Sequence, residues 1–193
     1  MSKTRTKSSA RDRIVETAER LFYSEGVRAV GIDRIIAEAE VAKMTLYNHF
    51  GSKDELILDV LKYREQKFGE MFARWIERHE KKGLDRLEAF FAALKDWFKS
   101  SDFRGCAFIN ATVELADARH QATRFAAEHK KRFYDLLAEI IAESQGAKAA
   151  TATPAIALLV EGAIVTAVIE QTPDPADLAQ EAALTLIAKA KRR

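Results

Sequence analysis

Apolar residues recur along the first quarter of the chain at intervals of three and four, the period of a helix with one buried face. Ile14, Ala18, Leu21 and Phe22 set the first stripe and predict a helix over residues 10–24. Ser9 and Asp12 stand at capping-box spacing before it, and Gly26 closes it. Ile32, Ile35, Ile36 and Ala39 predict a short helix over 32–39, and Leu46 with Phe50 a third over 42–49, broken by Gly51. Ser52 and Glu55 repeat the capping spacing and open a long helix to Glu80, striped by Leu56, Val60, Phe68, Met71, Phe72, Trp75 and Ile76.

Beyond Gly83, the residues Leu84, Leu87, Phe91, Leu94 and Phe98 mark another amphipathic helix, followed by a loop over 100–105 and helices near 106–117 and 120–144. The stretch SQGAKAATATP at 144–154 is the most linker-like piece. The helix predicted over 155–171 is apolar on nearly every side, so it has to be buried on two sides. Packing between its own domain and a second copy of the chain achieves that, with Gly162 and Ala163 allowing close approach. Leu159, Val165 and Ile169, with Leu184 and Ile187 of the last helix, are the other candidates for such a dimer face. A central core helix in a monomer is the alternative. Asp174 at the N-cap, Pro175 at N1 and Asp177 at N3 open the last helix, whose basic end suits the negative pole of its dipole. No strand pattern, repeat or low-complexity segment interrupts the series. The expected architecture is all-α with about nine helices: a three-helix unit over 1–52, then a larger helical domain over 53–193 with no flexible linker between them.

Composition agrees with that reading, since only three prolines and eight glycines occur in 193 residues while Ala, Leu, Glu, Lys and Arg abound. The net charge of +2 is uninformative, but Lys3, Arg5, Lys7, Arg11 and Arg13 against Asp12 concentrate positive charge in an N-terminal arm. The single cysteine, Cys106, excludes an intramolecular disulfide and fits a reducing compartment. No apolar segment follows the basic residues, so no secretory signal is expected. The most apolar run, 155–169, is shorter than a membrane span and contains Glu161. A soluble cytoplasmic protein, with no membrane partner, is the expectation.

The densest chemistry lies in EVAKMTLYNHFGSKDEL, residues 40–56. Two short helices joined by a tight turn have the spacing of a helix-turn-helix, whose second helix enters the major groove. With Val41, Leu46 and Phe50 inward, Lys43, Met44, Tyr47 and Asn48 point outward, and Thr45 and His49 share a face. Such groups bond to phosphates and base edges. Lys53 stands at the start of the next helix, where backbone N–H groups favour an anion. Arg5, Lys7 and Arg11 would add phosphate or minor-groove contacts. A merely polar helix face with Tyr47 partly packed is the competing reading.

The segment IDRIIAEAEVAKMTLYNHFGSKDEL resembles the DNA-binding signature of the TetR family of bacterial transcriptional regulators. The matching elements are Ile35–Ala37, Ala39, Val41, Thr45-Leu46-Tyr47, His49-Phe50, Ser52-Lys53 and Leu56. The resemblance implies a homodimeric regulator, most often a repressor, with a helix-turn-helix on a pseudo-palindromic operator and a C-terminal domain that binds a small-molecule effector. It assigns Thr45, Tyr47, His49 and Lys53 to phosphates and Lys43, Met44 and Asn48 to sequence preference. Two residues depart from the pattern. Glu40 replaces the usual turn glycine and Ala42 the usual Ser or Thr cap, each a loss of about 1 kcal/mol. A small-molecule-binding or modifying protein with a vestigial helix-turn-helix, and a non-specific architectural DNA binder, are the alternative functions.

For the effector pocket the candidates are the aromatics Phe72, Trp75, Phe91, Trp97 and Phe125, with Asn110, Glu114 and His129 as polar groups and Cys106 beside them. Aromatics at helical spacing are more often core, and a lone cysteine is more often a small buried hydrophobe. His120 and His129 fall on opposite sides of one helix, so they would not share a metal. No H-E-x-x-H, C-x-x-C, Walker-type or G-x-S-x-G motif occurs, so no catalytic residue, metal or cofactor is expected.

Overall fold

Ser9 opens the first helix of the computed structural model, which describes residues 9–192. Among the described residues nine α-helices follow in order: α1 (Ala10–Glu25), α2 (Ile32–Glu38), α3 (Lys43–His49), α4 (Lys53–Glu80), α5 (Arg86–Phe98), α6 (Ala107–Leu115), α7 (Gln121–Gln145), α8 (Thr153–Glu170) and α9 (Pro175–Lys191). No strand occurs among the described residues.

Local chemistry sets most of these boundaries. The Ser9 hydroxyl accepts the Asp12 N–H while the Asp12 carboxylate accepts the Ser9 N–H, a complete capping box. At α4 the Ser52 hydroxyl accepts the Glu55 N–H at 3.2 Å, but the Glu55 carboxylate reaches one residue further back, to the Gly51 N–H at 2.8 Å. Asp85 and Glu88 form a full capping box at α5, a signature that the sequence reading passed over in favour of Gly83. Asp174 holds the N-cap position of α9 without a side-chain bond to the helix. The linker-like stretch is ordered instead: residues Ala149–Ala152 form a 3₁₀ turn with Ala149 fully buried, and α8 begins at Thr153 with Pro154 in its first turn.

The chain divides into two compact units: residues up to 66 with 107–126, and residues 67–106 with 127 onward. The boundaries between these units fall within α4 and α7 and between Cys106 and Ala107. In the first unit α1, α2 and α3 pack on one another. Their core is Ile14, Ala18, Leu21, Ile35, Leu46 and Phe50, joined by Leu56 and Ile57 of α4, all 2% exposed or less. In the second unit α9 packs on α5 and α8. There the interior is aromatic: Phe68 meets Trp97 edge-on at 4.6 Å, and Phe90 sits between Phe72 at 5.6 Å and Phe91 at 5.3 Å.

The segment Ala149–Glu170 is long and apolar enough to cross a bilayer by length and composition alone. Within its unit, however, it buries Ile156, Ala157, Val160, Ala163, Ile164 and Ala167, and its Glu161 pairs with Lys130. Those are the contacts of a bundle helix.

Candidate nucleic-acid interface

The turn between α2 and α3 determines what α3 presents. Glu40 adopts φ 52°, in the left-handed region that glycine enters freely. Its N–H donates to the Ala37 carbonyl and the Val41 N–H to the Ile36 carbonyl, both at 3.3 Å. These two bonds form a Schellman motif, with Glu40 where glycine is usual. The turn thus keeps its shape despite the substitution and carries the local strain that a side chain adds. Ala42 holds the N-cap of α3 with no side-chain bond, as its methyl group dictates.

From that turn α3 buries Leu46 completely and leaves Val41 and Thr45 half-buried, with Phe50 buried just after its end. Lys43, Met44, Tyr47, Asn48 and His49 are exposed, Met44 to 69% and Tyr47 to 44%. Lys43 pairs loosely with Asp33 of α2 at 3.2 Å, both side chains mostly in solvent. A network clamps the first helix of the motif to α1: Arg20 pairs with Glu38, and Arg34 pairs with both Glu38 and Glu25. Single exposed pairs contribute little, and the linked set gains geometric definition for α2.

Lys53 and Arg11 stand less free than the sequence suggests. The Lys53 ammonium lies 5.8 Å from the Phe22 ring centre, and partial burial lowers its pKa against the opposing pull of Asp54 and Glu114. Arg11 pairs with Asp59 at 2.5 Å and lies 5.5 Å from the Phe50 ring centre. Arg5 and Lys7 lie outside the described residues.

The effector-pocket candidates are distributed between the two units. Phe72, Phe91 and Trp97 are buried in the aromatic core of the second unit, where Trp75, Cys106 and His129 also fall. Asn110, Glu114 and Phe125 belong to the first unit, with Phe125 against Phe108 at 6.4 Å. Asn110 and Glu114 line a cleft there with Phe22, Tyr23 and the buried Glu19–Arg64 ion pair. Glu114 accepts the Arg28 N–H at 3.0 Å, and the Arg28 guanidinium donates to the Leu115 carbonyl at 3.3 Å. Its carboxylate therefore ties the end of α6 to the α1–α2 loop. Arg28, Glu19 and Arg64 escaped the sequence reading because their partners lie 45 to 87 residues away, with no local signal.

Among the dimer candidates, Val165, Ile169 and Leu184 are exposed at 46%, 74% and 42%, and Gly162 is also exposed. Leu159 is half-buried. Ala163 and Ile187 instead face the interior of their own unit at 6% and 2% exposure. Leu158 and Leu178, missed in the sequence, are open at 71% and 66%.

Comparison with known proteins agrees with this arrangement. The family model described as bacterial regulatory proteins, tetR family, matches residues 14–60. The model described as Tetracyclin repressor-like, C-terminal domain, matches residues 83–183. The HTH-type transcriptional repressor DhaR of Mycobacterium sp. (strain GP1) is 29% identical over 57% of this chain, but the match spans only 54% of DhaR. The HTH-type transcriptional regulator YjdC of Escherichia coli is 21% identical over 95% of this chain and 96% of its own length. The crystal structure of SCO4454, a TetR-family transcriptional regulator from Streptomyces coelicolor, superposes with a TM-score of 0.72 and 33% identity, covering 95% of this chain and 94% of that one. With both ends of the chain matched by family models and a solved relative similar along nearly its whole length, the protein belongs to the TetR family of bacterial regulatory proteins.

Proposed function

We propose that the protein is a homodimeric, ligand-responsive transcriptional repressor that binds a pseudo-palindromic operator. The observation that carries this is α3, which roots itself through Leu46 and turns Lys43, Met44, Tyr47, Asn48 and His49 to solvent. Thr45, Tyr47 and His49, with Lys53, fit phosphates, and Lys43, Met44 and Asn48 fit base edges in the major groove. Lys53 would leave the Phe22 ring to do so. Arg11 would exchange Asp59 for a phosphate, joined by Arg5 and Lys7.

Dimerisation is supported by α8. Leu158, Gly162, Val165 and Ile169 recur at intervals of four, three and four, a stripe that runs along one face of the helix and lies in solvent. Leu178 and Leu184 on α9 extend the exposed apolar surface. A second copy meeting the same patch gives a two-fold dimer and sets two copies of α3 about 34–36 Å apart, or a multiple of that distance. An effector acts by favouring one of two dimer states that differ in that spacing. Such a regulator works in the cytoplasm, where its DNA is.

The test is fluorescence anisotropy with the DNA flanking the protein's own gene, against random duplex of equal length, across a salt series. A steep salt dependence with a clear preference for the flanking DNA is expected. Equal affinity for both duplexes would favour an architectural role, and no binding at low salt would overturn the regulator reading.

A further inference from the structure

Three backbone groups around the left-handed residue Glu40 are held by hydrogen bonds. Two are the Glu40 and Val41 N–H groups, bonded within the turn to the Ala37 and Ile36 carbonyls. The third is the Ala39 carbonyl, which shares a rigid peptide plane with the Glu40 N–H and points the opposite way. It accepts from Arg13 Nε of α1 at 3.3 Å, across 26 positions of sequence. Ala39 is only 3% exposed, so its carbonyl has to find a partner in the protein. The plane leading into Glu40 is thus pinned at both edges, and the plane leaving it is pinned by the Val41 N–H. The rotation between those two planes includes the φ of 52°. Local restraints are few here, since Glu40 lacks the freedom of glycine and Ala42 makes no side-chain cap to α3. The ion pairs of Arg20 and Arg34 join side chains of α1 and α2 and do not touch the backbone of the turn.

We infer that Arg13 is a positioning residue for DNA recognition. From α1 it fixes the peptide plane that enters the strained turn, and with it the direction in which α3 leaves. It acts through the Ala39 carbonyl and does not meet DNA itself. Its effect is therefore on which sequences α3 fits, not on the positive charge offered to phosphates. A guanidinium suits this task, because Nε–H donates from a planar, permanently charged group and a charge-assisted bond is among the stronger ones. Arg13 is half-buried beside the fully buried Ile14, which holds its stem against the core of the unit. The clamp also accounts for how the chain keeps Glu40 where glycine is usual: a bond from a distant helix supplies what the turn's own residues do not. The consequence for DNA rests on the regulator reading above, whereas the clamp on the turn does not.

The experiment compares purified full-length wild type, Arg13→Met, Glu40→Gly and the double variant. Amide hydrogen exchange followed by NMR reads the turn without DNA. Arg13→Met should speed exchange of the Glu40 and Val41 amides by about tenfold and leave the amides of α1 as they were. In the Glu40→Gly background the same change should cost less than about threefold, because the turn no longer needs holding. No acceleration, or equal acceleration throughout α1, would overturn the clamp. Anisotropy with the flanking DNA and random duplex then reads the consequence. Arg13→Met should narrow the preference for the flanking DNA by about tenfold at an unchanged salt slope, and Glu40→Gly should restore most of it. A slope lower by about one unit would make Arg13 a phosphate contact and overturn the positioning role, as would an undiminished preference. If Arg13→Met fails to fold, Arg13→Lys keeps the charge without the planar donor, carries both comparisons and must show the same dependence on residue 40. A wild type that prefers no DNA would instead sink the repressor reading, and the exchange rates alone would decide the clamp.

Discussion

Glu40 shows how a single residue can be tolerated without being suited to its place. Its φ of 52° is a conformation that a side chain makes unfavourable, and the two backbone bonds of the turn hold it there. Glu40→Gly should therefore raise the unfolding free energy by about 1 kcal/mol in urea melts. A decrease would mean that the carboxylate has a stabilising partner. Tyr47 makes the opposite case. At 44% exposure it contributes little to the core, so Tyr47→Ala should lose DNA binding while the melting temperature holds within a few degrees. A collapse of the fold would reassign Tyr47 to structure. The left-handed conformation at position 40 was legible only through the family resemblance, whose pattern has a glycine where this chain has Glu40. That Lys53 leans on Phe22 was not, since the ring lies 31 positions earlier.

At the scale of elements, α8 carries an expectation of its own. For the proposed dimer, replacing Val165 or Ile169 with Glu should leave folded monomers in light scattering, because both side chains are open on the chain's own surface. An unchanged mass would place the interface elsewhere. The pairing of α4 with α5 responds to pH instead. Partial burial pushes the Asp96 carboxyl upward, but His79 at 2.7 Å and Arg78 at 2.5 Å outweigh it and hold it below the ordinary carboxylate range. A depressed carboxylate contributes stability that is present above its unfolded value and lost as pH falls through the folded one. The stability gap between wild type and Asp96→Asn should thus be full near neutrality and shrink in acid below the usual aspartate range. A gap constant across that series would show that the ion pairs are idle. Helix periods and the cap at Ser9 and Asp12 were readable from local information, whereas the equally local box of Asp85 and Glu88 was passed over for Gly83. The inward fate of Ala163 was not readable, because a helix apolar on nearly every side, as α8 is, offers no phase to read.

For the whole molecule, charge and the two units set what can be expected. Lys53→Ala should weaken binding to every duplex alike and lower the salt slope by roughly one unit. An unchanged slope would remove Lys53 from the phosphate contacts. The helix-turn-helix was legible because it is a short, self-contained arrangement of apolar spacing and turn chemistry. The effector candidates were not, since Asn110, Glu114 and Phe125 join the first unit through α6 and the start of α7. Composition places aromatics in a core but does not say which core.

Gly26 and Glu114 give the family's sequence variation something to preserve. A Cβ at position 26 would stand 2.6 Å from the Glu114 carboxylate, on a backbone held at φ 97°. Shortening residue 114 removes the collision but gives up the bond to the Arg28 N–H and leaves the backbone conformation as it was. The two positions, 88 apart in the chain, should therefore drift together: homologues that lose the glycine should also lose the glutamate. In laboratory evolution, a change at position 114 should come first and open the way for one at 26.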